Sequence, residues 1–124
     1  MSSERVAERT YTCGLDAAID VIGGKWKALI LWGLSSGTRR FGELRRELPR
    51  CSEKMLIQQL RELEAVGVVH REVYREVPPK VEYSLTDLGQ SLIDALCSLS
   101  DWGDQHMARI GAAYHCPDEY ADRG

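Results

Sequence analysis

Residues 52–66 read SEKMLIQQLRELEAV, an amphipathic sequence with the spacing of a helix. Ser52 is a natural N-cap and Gly67 a natural C-terminal stop, so the sequence predicts a single helix between them. At 100° per residue, leucines gather on one face of this helix and polar side chains on the opposite face. The leucines are Leu56, Leu60 and Leu63, and the polar side chains are Lys54, Gln58 and Arg61. We therefore expect the leucines to pack inward and the polar side chains to face outward.

A shorter helix is predicted just before this one. Residues 41–48 read FGELRREL, with apolar side chains on one side and Arg45 and Arg46 on the other, and Pro49 ends the segment. Two helices joined by a short turn, the second with a polar outer face, are typical of a helix-turn-helix.

The segment that follows predicts a β-hairpin. Residues 68–74 and 81–85 alternate with the period of strands, and Pro78 and Pro79 place residues 75–80 in the connecting loop. A hairpin in this position is the wing of a winged helix-turn-helix.

Further helices are predicted on both sides of this unit. Residues 15–22 and 25–34 predict two helices ahead of it, and Thr86 is a natural N-cap for a long final helix. An apolar stripe runs along that final helix and consists of Leu88, Leu92, Ala95, Leu99, Trp102 and Ile110. A chain of 124 residues leaves little core for so long a helix to cover, so we expect part of it to pack against a second copy. The predicted fold class is α+β, mainly α: a winged helix-turn-helix with a two-stranded wing and extra N- and C-terminal dimerisation helices.

The length of the chain fits one domain. We expect a flexible arm at residues 1–12, the folded domain at residues 13–111 and a flexible acidic tail at residues 112–124.

The sequence contains no apolar run as long as a membrane span, and its first residues lack the apolar stretch of a signal peptide. We therefore expect a cytoplasmic protein that has no membrane partner.

Charge is unevenly distributed along the chain. The net charge is −3, but residues 37–80 carry ten basic and seven acidic side chains, a balance of +3, whereas residues 81–124 carry two basic and eight acidic ones. Because salt screens charges beyond about 8 Å, a phosphate-binding surface requires local positive charge. The middle third has that charge, although a merely solvated basic face would have the same composition.

Four segments, and the spacing between them, resemble the HxlR family of bacterial regulators across residues 11–104. They read DVIGGKW at 20–26, RFGEL at 40–44, SEKML with QLREL within 52–63, and VPPKVEYSLT at 77–86. The resemblance implies a homodimer that is held by its first and last helices and binds a pseudo-palindromic operator. Many such regulators respond to oxidants or electrophiles through a cysteine near the N-terminus, where this chain has Cys13. The chain departs from the family at Glu53, where proline is frequent.

Hydrogen-bonding side chains on the outer face of the 52–66 helix are what base edges require. Gln58 can bind adenine bidentately, and Lys54 or Arg61 can bind guanine or a phosphate. Ser52 would direct backbone N–H groups to a phosphate, flanking arginines would hold the DNA backbone, and the wing would reach the minor groove. The complete predicted set is Arg39, Arg40, Arg45, Arg46, Ser52, Lys54, Gln58, Gln59, Arg61, Arg75 and Lys80. The alternative is that these are ordinary solvated side chains.

Two cysteines are candidates for redox sensing. Cys13 lies just before the first helix, whose positive end favours a thiolate. On position alone a small buried residue is the commoner interpretation, and the resemblance favours a sensing thiol. Cys51 precedes the N-cap of the 52–66 helix, in what we expect to be an exposed turn. If Cys13 of one subunit reached Cys51 of the other, a disulfide would tie a dimerisation helix to the DNA-reading helix.

We predict no metal, no cofactor and no catalytic site. His106 lies on the apolar stripe, and the adjacent His115 and Cys116 have poor geometry for joint chelation. The sequence has no phosphate loop, no cofactor fingerprint and no nucleophile with a plausibly placed base, which disfavours an enzyme.

The predicted function is a homodimeric, sequence-specific regulator of transcription that binds double-stranded DNA. We expect it to be a repressor that responds to oxidants or electrophiles through Cys13. The alternative is a winged helix that binds only other proteins, which the acidic net charge would suit.

Overall fold

The computed structural model describes residues 10–113, which form helices and three short strands. The helices are α1 (Gly14–Ile22), α2 (Lys25–Leu34), α3 (Phe41–Glu47), α4 (Glu53–Val66) and α5 (Asp87–Ile110). The strands are β1 (Arg39–Arg40), β2 (Val69–Tyr74) and β3 (Lys80–Leu85). The expected arm and tail, and with them His115 and Cys116, fall largely outside the described residues.

Helix α4 has the ends and the inward face that its sequence predicts. The Ser52 hydroxyl oxygen accepts a hydrogen bond from the Met55 backbone N–H at 3.1 Å, which caps the first turn. Gly67 ends the helix in the left-handed region with φ 95°, where a side chain would be strained. The inward side chains are almost completely buried and are Leu56, Leu60 and Leu63. The predicted orientation of α4 is confirmed.

The core lies where α4 meets α2, α3 and the start of the sheet. Helix α2 contributes three buried side chains, Ile30, Leu31 and Leu34, and α3 contributes Leu44. Val68 and Val69, which follow α4 directly, are also buried in this cluster. Burial of these side chains fixes the rotation of α3 and α4 about their own axes, because turning either helix would bring polar residues into the core.

The wing is the predicted hairpin of β2 and β3, but the sheet has a third strand that we did not predict. Its order is β1-β3-β2 and both pairings are antiparallel. Strand β1 pairs Arg39 with Tyr83 and Arg40 with Glu82. A strand of two residues is too short to show a period, so the sequence gives no signal for it. Lys80, which we placed in the loop, begins β3 opposite Tyr74.

Helix α5 leaves its predicted apolar stripe largely exposed in the single chain. It buries a different set of residues against the core, namely Gly89, Ile93 and Leu96. Four stripe residues are more than half exposed: Leu88, Leu99, Trp102 and Ile110. Helix α1 is similar, because none of its residues is buried and Leu15 and Ile19 are more than half exposed. Among the described residues, no helix is long and apolar enough to span a membrane.

Residues just ahead of α1 make defined contacts with it, although we expected them to belong to a flexible arm. The Tyr11 hydroxyl donates a hydrogen bond to the Asp20 carboxylate at 2.7 Å. The Thr12 backbone N–H donates to the Asp16 carboxylate at 3.0 Å.

Thr86 joins the end of α4 to the beginning of α5. Its hydroxyl donates a hydrogen bond to the Gly67 carbonyl oxygen at 2.6 Å and accepts one from the Gly89 backbone N–H at 3.0 Å. Its own backbone N–H donates to the Val68 carbonyl oxygen at 3.2 Å. Gly89 is essential to this junction, since a Cβ atom at that position would overlap the Val68 carbonyl group.

We predict that Gly89→Ala lowers the free energy of unfolding by about 1–3 kcal/mol, because backbone must move to admit the methyl group. Gly42→Ala is the matched control, since Gly42 also lies in the first turn of a helix but has only an ordinary contact near its Cβ position. The control should be neutral or stabilising by up to ~1 kcal/mol. Urea denaturation at equal protein concentration measures both. Equal effects of the two substitutions would contradict the packing described for Gly89.

Candidate nucleic-acid interface

The turn between α3 and α4 is anchored by Cys51, through a backbone hydrogen bond and a side chain buried in the core. The Cys51 backbone N–H donates to the Leu48 carbonyl oxygen at 3.0 Å, and the Cys51 side chain is only 2% exposed. Because the turn is anchored in this way, α4 starts at a fixed point relative to α3.

The outer face of α4 presents the polar side chains to solvent. Lys54, Gln58 and Arg61 are all exposed, and Ile57 lies half-buried among them. Together with Glu53 they line one shallow depression. A helix that reads base edges requires this arrangement, because its hydrogen-bonding side chains must project farther from the helix than its apolar ones, here Ile57.

Gln58 is already hydrogen-bonded within the protein, which the sequence analysis missed. Its side-chain N–H donates to one carboxylate oxygen of Glu62 at 2.9 Å. The other carboxylate oxygen forms a salt bridge with the Lys27 ammonium of α2. Hydrogen bonding by Lys27 and then by Gln58 lowers the pKa of Glu62, so this carboxylate is charged at neutral pH. The spacing of four residues between Gln58 and Glu62 is the signal that could have shown the first of these contacts.

Gln59 lies to the side of this face. It is half-buried, and its side-chain amide contacts the Met55 sulfur at 3.3 Å.

The predicted backbone-binding arginines have different surroundings. Arg40 and Arg46 are exposed, as is Arg45, which forms a salt bridge with Glu53 at 3.3 Å. Arg39 is half-buried, and its guanidinium lies 2.8 Å from the Glu47 carboxylate. Arg39 therefore has a clear role in joining β1 to α3, whereas Arg40 and Arg46 are presented to solvent.

The wing carries acidic as well as basic groups. Arg75 is exposed in the loop. The Lys80 ammonium lies 4.3 Å from the centre of the Tyr74 ring and 3.9 Å from the Glu82 carboxylate. A hydrogen bond with Glu82 raises the pKa of Tyr74. The charge of Lys80 is thus partly compensated within the sheet. Arg75 is the more exposed of the two basic side chains.

Arg71 is a further basic residue that we did not predict at the interface. It lies in β2 opposite Tyr83, and it lines a groove between α4 and the wing together with Arg61. The alternation of β2 could have indicated that Arg71 lies on the same face as Val69 and Val73.

The described cysteines differ in exposure. Cys13 is exposed and occupies the N-cap position of α1, with its carbonyl oxygen accepting from the Ala17 backbone N–H at 3.2 Å. Cys97 is exposed on α5. The expectation that Cys51 is an exposed turn residue is wrong. It is buried in the core, and burial raises the pKa of its thiol despite the nearby Arg45 charge.

His106 stacks on Trp102 along the exposed stripe of α5, with ring centroids 5.2 Å apart and planes 13° apart. In the described part of the chain, no three His, Cys, Asp or Glu side chains are grouped so that they could hold a metal ion.

These features define a winged helix-turn-helix domain with an exposed polar face on α4 and additional helices at both ends. The chain matches the model of the HxlR-like helix-turn-helix family over residues 21–110. It belongs to that family, whose proteins are regulators of transcription rather than enzymes.

Similar proteins agree with this assignment. The HTH-type transcriptional regulator YdeP of Bacillus subtilis (strain 168) is 49% identical over 98 residues, which cover 79% of this chain and 77% of YdeP. The structure of the redox regulator HypR in its reduced form is similar with a TM-score of 0.76 and 45% identity, covering 80% of this chain and 98% of that one. The reduced form of the transcriptional regulator YodB from B. subtilis has a TM-score of 0.68 and 37% identity, covering 76% of this chain and 93% of that one.

Proposed function

We propose that the protein is a homodimeric, sequence-specific repressor that binds a pseudo-palindromic operator and responds to oxidants or electrophiles through Cys13. The observation that carries the DNA-binding part is the exposed polar face of α4 above its buried leucines. Repression requires only that the bound dimer occupies promoter DNA. Because its ligand is the cell's own DNA, we propose the cytoplasm as its location.

The reading helix would enter the major groove with Lys54, Gln58 and Arg61 toward base edges. The capped N-terminus of α4 at Ser52 would face a phosphate, since its backbone N–H groups carry partial positive charge. Arg40, Arg45 and Arg46 would hold the adjacent backbone. Arg75 and Lys80 would extend the wing to the minor groove, with Arg75 contributing more.

The apolar surfaces of α1 and α5 support a homodimer. Leu15 and Ile19 of α1, and the stripe of α5, are large apolar side chains left exposed in one chain. Contiguous exposed apolar surface marks an interaction site, and a second copy would cover the same residues by two-fold symmetry. A two-fold dimer would place its two α4 helices on two half-sites, which accounts for a pseudo-palindromic operator.

Cys13 is supported as the sensing thiol by its position. It is exposed at the N-terminus of α1 and is followed by Leu15 and Ile19 on the proposed dimer face. A chemical change there would alter dimer geometry and hence the spacing of the reading helices. HypR, which is similar in fold, is described as a redox regulator and has been solved in reduced and oxidised forms. A disulfide between Cys13 and Cys51 is less well supported, because Cys51 is buried.

We predict that Gln58→Ala weakens binding to the gene's own upstream region by about 1–3 kcal/mol and leaves binding to random duplex DNA nearly unchanged. Arg75→Ala should weaken binding to both DNAs alike and reduce the salt slope by about 0.9. Mobility shifts at several salt concentrations measure both effects. The proposal is contradicted if the wild-type protein does not prefer its upstream region, or if the two variants behave alike on both DNAs.

We also predict that diamide releases the wild-type protein, but not Cys13→Ser, from that upstream region. Diamide takes up two protons and two electrons as two thiols become one disulfide. The second thiol is either the partner subunit's Cys13 or a small thiol such as glutathione, which is added to the assay. Cys97→Ser is the control, since it removes another exposed thiol and should be released like wild type. Release of Cys13→Ser by diamide would exclude Cys13 as the sensor.

A further inference from the structure

We propose that Glu62 is a specificity-determining residue that positions the Gln58 amide for base reading without itself contacting DNA. This inference rests on the proposed function, because it assigns a role within the same DNA-reading face. Its basis is a chain of contacts that runs from α2 through Glu62 to the exposed side chain of Gln58.

The first step is the orientation of the Gln58 amide. Its Nε2 atom donates to the Glu62 carboxylate at 2.9 Å. A charged carboxylate accepts hydrogen bonds and cannot donate them, so it can bind the NH₂ end of the amide but not the carbonyl end. Glu62 therefore selects one of the two orientations of the amide plane that an exposed glutamine would otherwise sample.

The second step is what remains available to DNA. Nε2 has two hydrogens, of which one binds Glu62, and Oε1 keeps its acceptor capacity. One donor and one acceptor are the pair that adenine N7 and N6–H₂ require in the major groove. The bidentate contact uses the Nε2 hydrogen on the same side as Oε1, so the proposal requires Glu62 to bind the other hydrogen, which leaves both groups of the contact available. The bond to Glu62 also removes side-chain freedom before binding, which lowers the entropy lost when the contact forms.

The third step is the anchoring of Glu62. Its second carboxylate oxygen binds the Lys27 ammonium of α2, and the Lys27 side chain is only 15% exposed. This salt bridge ties Glu62 to the core helix rather than to α4 alone. It also compensates a negative charge that would otherwise repel phosphates close to the reading face. The low pKa of Glu62 keeps the acceptor charged at neutral pH.

The test is in vitro selection from random duplex DNA with the full chain, followed by competition between the selected site and single-base variants. Glu62→Gln keeps the shape of the side chain but removes the charge that selects the amide orientation. Glu64→Gln is the matched control, since Glu64 is exposed on the same helix and makes no salt bridge with any described residue. Both substitutions remove one negative charge, so both should tighten non-specific binding to a similar small extent.

The preference at a base position is the ratio of the affinity for the selected site to that for the site with this base changed. Gln58→Ala should lower this preference at one base position per half-site by about five-fold or more. We expect Glu62→Gln to lower the preference at that same position by about three-fold or more, and Glu64→Gln to leave it unchanged. In the Gln58→Ala background, Glu62→Gln should have no additional effect, because a positioning residue acts through its partner.

An additional loss in that background, or an unchanged preference in Glu62→Gln, would overturn the inference. If wild type enriches no sequence, the proposed function itself fails. If wild type and Glu62→Gln enrich the same site equally, only the positioning role fails.

A second measurement separates positioning from a loss of folding. In wild-type protein without DNA, the NMR signals of the Gln58 side-chain amide should shift as Glu62 is protonated at acid pH. The shift should be absent in Glu62→Gln and present in Glu64→Gln, and thermal melting verifies that each variant is folded. Amide signals that do not respond to the protonation of Glu62 in folded wild-type protein would show that the bond is not formed, and the inference would be overturned.

Discussion

The inward packing of Leu56, Leu60 and Leu63 fixes the orientation of α4 against the core, and with it the face that α4 turns to solvent. Each fully buried leucine contributes about 1.5–3 kcal/mol relative to an exposed one, so rotating α4 to expose this face would cost several kcal/mol. The same rotation that buries the leucines turns Lys54 and Gln58 toward solvent. The core therefore determines which side chains α4 presents to solvent, and these are the side chains proposed to read DNA.

The structure also connects the reading helix to the surfaces proposed for dimerisation. Thr86 binds the Gly67 carbonyl oxygen at the end of α4 and caps the first turn of α5. Helix α5 then extends to Ile110 with its apolar stripe exposed. In the proposed dimer, a change in how α1 and α5 pack between subunits would be transmitted through this junction to the separation of the two α4 helices. In the proposed DNA complex, Glu62 would act at a shorter range, because it connects Lys27 of α2 to the single side chain of Gln58.

Periodic segments were predictable from the sequence, and contacts between segments were not. The caps and inward face of α4 followed from Ser52, Gly67 and the leucine spacing, because these depend on residues close in the chain. The burial of Cys51 depends on how α3 packs against α4, so its place in a turn suggested exposure. The pairing of Arg39 with Glu47 and of Lys27 with Glu62 joins different elements. The predicted exposure of the polar face of α4 is confirmed, whereas the surroundings of its side chains required the structure.

The acetylation rate of Lys54, measured by mass spectrometry with and without the upstream DNA, tests whether the outer face of α4 is exposed in the free protein and covered by DNA in the complex. Lys25, an exposed lysine at the start of α2, serves as the internal control. Lys54 should react readily in the free protein and become protected when DNA is bound, while Lys25 keeps its reactivity. Protection of Lys54 in the free protein would show that this face of α4 is not exposed, and full reactivity of Lys54 in the DNA complex would show that it does not face the DNA.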